Sequence, residues 1–281
     1  MAKILLVANL NCDRVLHLDK PIQLGGRFHY QDGHKRLGGG GANTGIGLAF
    51  AHHQVSLVSE VGQDPLGDWL INEATDKGID CTFVKRRTEP TQDLMLLITP
   101  EGERTIIRPH RPTLELGIPH CWEYWDALYL NTSAQGATSW SKTALSKTLV
   151  VAQLGKDNRE RPCHVLISSE ADMLDRSHLN GWEFGLKIAG ESLQYFIVTN
   201  GEHGATLYTS EQQITVSVRK TAVVDSTGAG DAYAAGLIHG LVTRMTITEA
   251  MKEAAQWASC AVTSASSIPD MNLKRYLSLV K

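Results

Sequence analysis

An α/β fold with a mostly parallel central sheet, helices on both faces and a small β extension is what this sequence predicts. Three observations lead there. Apolar, strand-like runs alternate with helix-like patterns along most of the chain. Two glycine-rich turns stand directly ahead of helical segments. A length of 281 residues with 42% hydrophobic content suffices for one large core.

Taken in order, Ile4 to Asn9 is a short apolar run ended by polar residues and reads as a buried parallel strand. Asp13 then falls just past its C-terminal end, where ligands bind in open α/β sheets. Leu24 to Arg36, Asp93 to Thr99 and Arg104 to Arg108 read as strands leaving the core, the last two joined by a hairpin turn at Pro100–Glu103. An apolar stretch, Leu48 to Ala51, reads as helix, followed by a strand at Gln54 to Val61 and a helix at Leu66 to Lys77. Ala127 to Asn131 reads as strand, Ser141 to Gln153 as helix, and Cys163 to Ser168 as strand with a helical stretch after it. Tyr195 to Thr199 continues the sheet, with Gly204 to Tyr208 and Ile214 to Val218 as an antiparallel addition. The β-branched run Thr221 to Val224 reads as a last strand, before helices at Ala229 to Val242, Thr248 to Ser264 and Asn272 to Val280.

Charge and cysteine usage exclude several classes. A net charge of −3 and a pI near 6.4 give no footprint for nucleic acid or an anionic membrane. The five cysteines, at positions 12, 81, 121, 163 and 260, are scattered and never spaced C-x-x-C, against a disulfide framework or zinc site and in keeping with a reducing cytoplasm. No run approaches about 18 apolar residues, and Met1, Ala2 and Lys3 lead straight into a strand, so neither a membrane span nor a secretory signal is indicated. The charged stretch Lys156 to Arg161 reads as a solvated loop, and the adjacent His52 and His53 as surface residues at a helix end.

The chemistry concentrates in two remote glycine clusters. Asp225, Ser226, Thr227, Gly228, Ala229, Gly230 and Asp231 form a turn into a helix. Gly228 and Gly230 tolerate φ > 0 and leave room for N–H groups to converge on an anionic oxygen at the helix N-terminus. The helix macrodipole would keep Asp231 ionised in the first turn, as a base for an alcohol. Far upstream, Gly38 to Gly41 lead into Ala42 and Asn43, where a polyol pressed against bare main chain would meet an amide offering both a donor and an acceptor. Competing motifs fail: no G-x-x-x-x-G-K-[ST] occurs, the G-x-G-x-x-G frames end in Asn43 or Thr44, and H-E-x-x-H is absent.

On these residues the chain resembles the ribokinase-like (PfkB) family of carbohydrate and nucleoside kinases. Asp225 to Asp231 is similar to its late D-[TS]-T-G-A-G-D signature, Gly38 to Asn43 to its early G-G-x-x-A-N, and Gly62, Asp64 and Gly67 to the following G-x-D-x-x-G. The resemblance implies one ribokinase-like three-layer α/β/α domain over residues 1–281, with a β lid from about 14–36 and 90–111. It implies transfer of the ATP γ-phosphoryl group to a sugar hydroxyl. Asp231 takes the proton, Gly228, Ala229 and Gly230 form an anion hole, and Asp13, Gly39, Gly40 and Asn43 hold the acceptor. Asp64 has two readings, substrate contact or helix cap before Pro65.

Further implications concern ATP and ions. Thr199, Gly201 and Gly204 are similar to a T-x-G-x-x-G of the nucleotide site, a plain turn being the alternative, and Thr227 and Ser259 join that set. Asp225 and Thr227 match positions that hold a monovalent cation, potassium, in several members, although Thr263, Ser264, Ala265 and Ser266 lack the glycine often found in the companion segment. Magnesium would bridge the phosphates, with Asp172 of Ser169–Asp172 standing, through water, where the family carries N-x-x-E. A nucleoside kinase and a non-catalytic sugar or nucleotide sensor are the alternatives. Lid strands with open edges suggest a homodimer. Arg27, His29, Tyr30, Arg108, His110 and Arg111 either read an anionic or bulky substituent or are solvated edges.

Overall fold

A computed structural model describes residues 1–280 apart from 119, 120, 158, 175, 177, 178, 219, 220 and 265, so Ala265 of the cation segment lies outside the described residues. The first half of the chain forms β1 (Lys3–Val7), β2 (Asn11–Leu18), β3 (Tyr30–Gly38), α1 (Gly39–Phe50), β4 (Gln54–Gly62), α2 (Pro65–Asp76), β5 (Ile79–Asp80), β6 (Val84–Arg87), β7 (Asp93–Ile98), β8 (Arg104–Ile107) and β9 (Leu114–Glu115). Next come β10 (Ala127–Leu130), β11 (Ala134–Gln135), α3 (Ala137–Ala144), β12 (Leu149–Gln153), β13 (Val165–Ser169), α4 (Glu170–Met173) and α5 (Gly181–Ala189). Last are β14 (Tyr195–Thr199), β15 (Ala205–Tyr208), β16 (Gln213–Val216), α6 (Ala229–Val242), α7 (Ile247–Val262) and α8 (Met271–Leu279).

Alternation along β1 sets the layers. Ile4 and Leu6 pack into a core shared with Ile46 of α1, Leu237 of α6 and Trp257 of α7. Leu5 and Val7 face the opposite core, with Trp140 of α3 and Ile188 of α5. Both faces of β1 are therefore dry, which is why it reads as a continuous apolar run rather than an alternating one. The central sheet runs β16-β15-β14-β13-β12-β10-β1-β4-β5, with β6 also paired to β4. It is parallel from β4 through β14, for example Ile4↔Ala127 and Leu6↔Leu57, and antiparallel at β15 and β16. A separate four-stranded sheet, β3-β2-β7-β8, stands outside these layers, with β2 and β7 parallel from Cys12↔Asp93 to His17↔Ile98.

Several local expectations are corrected. The segment expected as helix over 141–153 divides: α3 ends at Ala144, and Leu149–Gln153 becomes β12, slotted between β10 and β13. Its buried Val150 and Val151 fit a pleated surface closed on both faces. Thr221 to Val224 is not a strand; Val223 and Val224 are exposed, and the N–H groups of Val224 and Asp225 bond to the Val262 carbonyl instead of a ladder. The outlying strand expected from Leu24 starts only at Tyr30, and its partner β2 had no separate periodic signal. His53 is buried, accepting from Ala2 N at 3.1 Å and lying 2.8 Å from His239 Nδ1. Burial, then the neighbouring His239, push its pKa down to about 4, so it packs as a neutral ring.

Candidate active site

The glycine clusters meet beyond the C-terminal ends of β1 and β10. The helix α1 already begins at Gly39, where φ is +86°. Gly41 N donates to the Asn9 carbonyl at 2.9 Å, and a Cβ on Gly40 would stand 2.5 Å from Asn131 Oδ1. Glycine here answers a close approach between the helix start and two strand ends. One turn on, buried Asn43 donates from Nδ2 to Asp231 Oδ2 at 2.8 Å, and Asn131 donates to Asp231 Oδ1 at 3.0 Å. Asn131 also donates to Tyr129 Oη at 3.1 Å. One carboxylate is thus held by two amides, from α1 and from the residue following β10, while α1 packs on α6.

Asp231 sits in the first turn of α6, whose N-cap is Gly228 at φ +82°. A Cβ there would collide with the Ser267 carbonyl, so the turn requires glycine for two reasons. Gly230 departs from expectation: it lies inside α6 without a positive φ, and its use is space, since a Cβ would meet nothing within 4 Å. Ala229 N already donates to the Ser226 carbonyl at 3.3 Å, so of the three N–H groups expected to form an anion hole those of Gly228 and Gly230 are left to face a ligand, together with the positive end of the dipole.

The same loop separates two cavities. One, of about 300 Å³, is lined by Asp13, Asn43, Asn131, Arg108, Gly228 and Asp231, with Gly39 and Gly40 in its wall. The other, of about 260 Å³, is lined by Thr199, Gly201, Gly204, Ala229, Gly230 and Ser259. Each contains an orphaned buried hydroxyl: Ser267 in the first and Tyr233 in the second have no hydrogen-bond partner among the described residues. Unpaired buried polar atoms facing a cavity suit polar ligands.

Electrostatics refine the role of Asp231. Burial raises its pKa above the ordinary carboxylate value, while the Asn43 and Asn131 amides and the Arg108 charge pull it down. The net direction is upward, so desolvation outweighs the two amides and the Arg108 charge, and the group is a stronger base than a free aspartate. Asp13 is likewise raised by burial, against Arg36, Arg108 and Arg111.

Other candidates are engaged differently. Arg104 of β8 forms an ion pair with the buried Asp225 and donates to Thr227 Oγ1 at 2.8 Å, taking the carboxylate expected to hold potassium but not the Thr227 carbonyl expected beside it. Asp172 is paired with Lys156, and its N–H is capped by Ser169 Oγ at 3.1 Å. Asp64 caps α2, accepting from Gly67 N at 2.7 Å and from Thr91 N. Ser259 Oγ donates to the Ala255 carbonyl at 2.9 Å while lining the second cavity. Thr199 Oγ1 donates to the Ser168 carbonyl at 3.2 Å. Sequence reasoning missed Asn131 and the role of Arg104. Asn131 was accessible through the strand-end rule, standing one residue beyond β10 next to β1; Arg104 carried no local signal.

Comparisons with known proteins bear on this geometry. A family model described as pfkB family carbohydrate kinase matches residues 1–153 and 163–274. A fructokinase of Escherichia coli is 24% identical over 235 residues, spanning 73% of this chain and 76% of that relative. A 5-dehydro-2-deoxygluconokinase of Clostridium beijerinckii is 23% identical over 296 residues, spanning 91% and 85%. The structure of Arabidopsis thaliana ribokinase complexed with ribose and ATP superimposes with a TM-score of 0.80 at 20% identity, covering 98% of each chain.

Proposed function

As a chain that belongs to the pfkB family of carbohydrate kinases, an ATP-dependent phosphotransferase family acting on sugar hydroxyls, this protein needs a base between its two substrates, and we propose that Asp231 is that base. The observation that carries this is the position of one loop: Thr227, Gly228 and Asp231 line one cavity, and Ala229 and Gly230 the other. The sugar occupies the cavity with Asp13, Gly39, Gly40 and Asn43, where side-chain acceptors and donors orient a polyol so that one hydroxyl faces Asp231. The nucleotide occupies the cavity with Thr199, Gly201, Gly204 and Ser259, its terminal phosphates at the α6 N-terminus. Asp231 removes the hydroxyl proton while the N–H groups of Gly228 and Gly230 offset charge on the transferring oxygens. Asn43 and Asn131 fix both carboxylate oxygens and are positioning residues.

The outlying sheet β3-β2-β7-β8 serves as the lid, since it brings Asp13, Leu94, Leu96 and Ile106 to the sugar cavity. Its outer edges, with exposed Tyr30, Ile106 and Ile107, are the surfaces for a homodimer. The Asp225 carboxylate, already paired with Arg104, does not fit as a potassium ligand, whereas Arg104 meets only the Thr227 hydroxyl and not its carbonyl. Asp172 is paired with an exposed Lys156, a weak surface pairing that leaves it able to hold magnesium through water, and the steps above use only Asp231, its amides and the loop N–H groups. Five unpaired thiols support a cytoplasmic setting. The decisive experiment is Asp231→Asn, assayed by coupled ADP release over a panel of sugars, sugar acids, sugar phosphates and nucleosides. Turnover should fall by at least about 100-fold with an unchanged melting curve; a rate within a few-fold of the parent would remove Asp231 from the chemistry.

A further inference from the structure

Resting on the kinase reading above, we infer that the acceptor is an anionic sugar, carrying a phosphate or carboxylate that is bound by Arg108. The residue follows β8 directly, and its exposed side chain lines the acceptor cavity together with Asp13 and Asp231. It makes no hydrogen bond or ion pair among the described residues, yet it lies close enough to both carboxylates to lower the pKa of each.

Arg108 does not stand alone. Arg36 and Arg111 also act on Asp13, and the pKa of Arg111 is lowered first by burial and then by the neighbouring Arg87 and Arg108. Arg111 is fixed from behind, donating to Asn11 Oδ1 at 2.5 Å and to the Gln92 carbonyl at 3.2 Å. Three guanidinium groups, those of Arg36, Arg108 and Arg111, therefore lie near Asp13, and of these Arg108 lines the cavity that also holds Asp231, while Asp225 is committed to Arg104. One carboxylate, Asp13, faces these three positive charges, and a ligand anion at Arg108 would supply further counter-charge. Guanidinium is the planar fork that matches carboxylate and phosphate oxygens. The terminal phosphates of the nucleotide are already served by the α6 N-terminus, and Arg108 is absent from the lining of that second cavity.

The test uses matched acceptors: a neutral hexose, its 6-phosphate and the corresponding sugar acid, with the full chain, by coupled ADP release and by calorimetry without nucleotide. One charged acceptor should exceed the neutral sugar in kcat/KM by about 10-fold or more, and the two charged arms tell phosphate from carboxylate. Arg108→Ala should raise KM for that acceptor on the order of 10 to 100-fold with little change in kcat. Arg108→Lys, which keeps the charge but loses the fork, should recover part of it. A neutral sugar turned over as well as its charged partners would overturn the inference and leave the kinase reading intact. So would Arg108→Ala lowering kcat alike for neutral and charged acceptors. Absence of any phosphoryl transfer would instead defeat the kinase reading, and calorimetry would then decide the inference: charged sugars binding the parent but not Arg108→Ala uphold it, and equal binding refutes it.

Discussion

The two cavities flanking the Gly228–Gly230 turn are built from opposite materials. On the acceptor side, Asn9, Asn11, Asp13, Asn43, Asn131 and Arg108 present side-chain amides and charges. On the nucleotide side, Val218, Val223, Ala255, Ala258 and Val262 present small apolar surface, with glycines at 201 and 204. On the proposed kinase reading, the difference follows from what each side must read. A flat base is held by dispersion and backbone contacts, which many small residues provide equally. A polyol is distinguished hydroxyl by hydroxyl, which requires fixed donors and acceptors. Single substitutions should therefore be costly on the acceptor side and mild on the nucleotide side.

The largest effect that sharpens this contrast is expected at Asn131. Its amide favours the ionised form of Asp231, whose pKa burial already raises. Removing it in Asn131→Ala should raise that pKa further, so the acid limb of kcat against pH moves upward and turnover at neutral pH falls, by about 10 to 100-fold. An acid limb that stays in place would break the assignment of Asn131 as a positioning residue. Next in size is Arg104→Ala, which strips the counter-charge from Asp225, only 2% exposed. Unfolding by urea should show a loss of about 1 to 3 kcal/mol. The parent should turn over equally in potassium and sodium, whereas this variant should gain activity from potassium; a potassium-activated parent would contradict the pairing. Smallest is Ser259→Ala on the nucleotide side, where the hydroxyl is spent on the Ala255 carbonyl. KM for ATP should change less than about 3-fold, and a loss as large as that of Asn131→Ala would erase the contrast between the cavities.

Legibility in the sequence followed the range of the interaction. The buried parallel strand β1, the antiparallel addition β15 and β16, and the turn into α6 each carry their own periodicity or glycine signal within about ten residues. By contrast, β12 was misread because Leu149 to Gln153 has no alternation, and only its neighbours β10 and β13 make it a strand. Asp64 was open between cap and contact because an N-cap aspartate and a ligand-binding one look alike until the Gly67 and Thr91 amides are placed. The local dipole argument for an ionised Asp231 could not foresee the burial that raises its pKa.

By itself, the chain determined the layered α/β architecture, the two glycine-rich helix starts and a carboxylate in the first turn of α6, because periodicity and backbone freedom are written in neighbouring residues. Only the tertiary structure decided that Asn43 and Asn131, 188 and 100 positions away, grip that carboxylate, that Arg104 occupies Asp225, and that Lys156 pairs with Asp172. The physical reason is that such pairings depend on strand order and on how the outlying sheet packs, and no local pattern encodes a partner that distant along the chain.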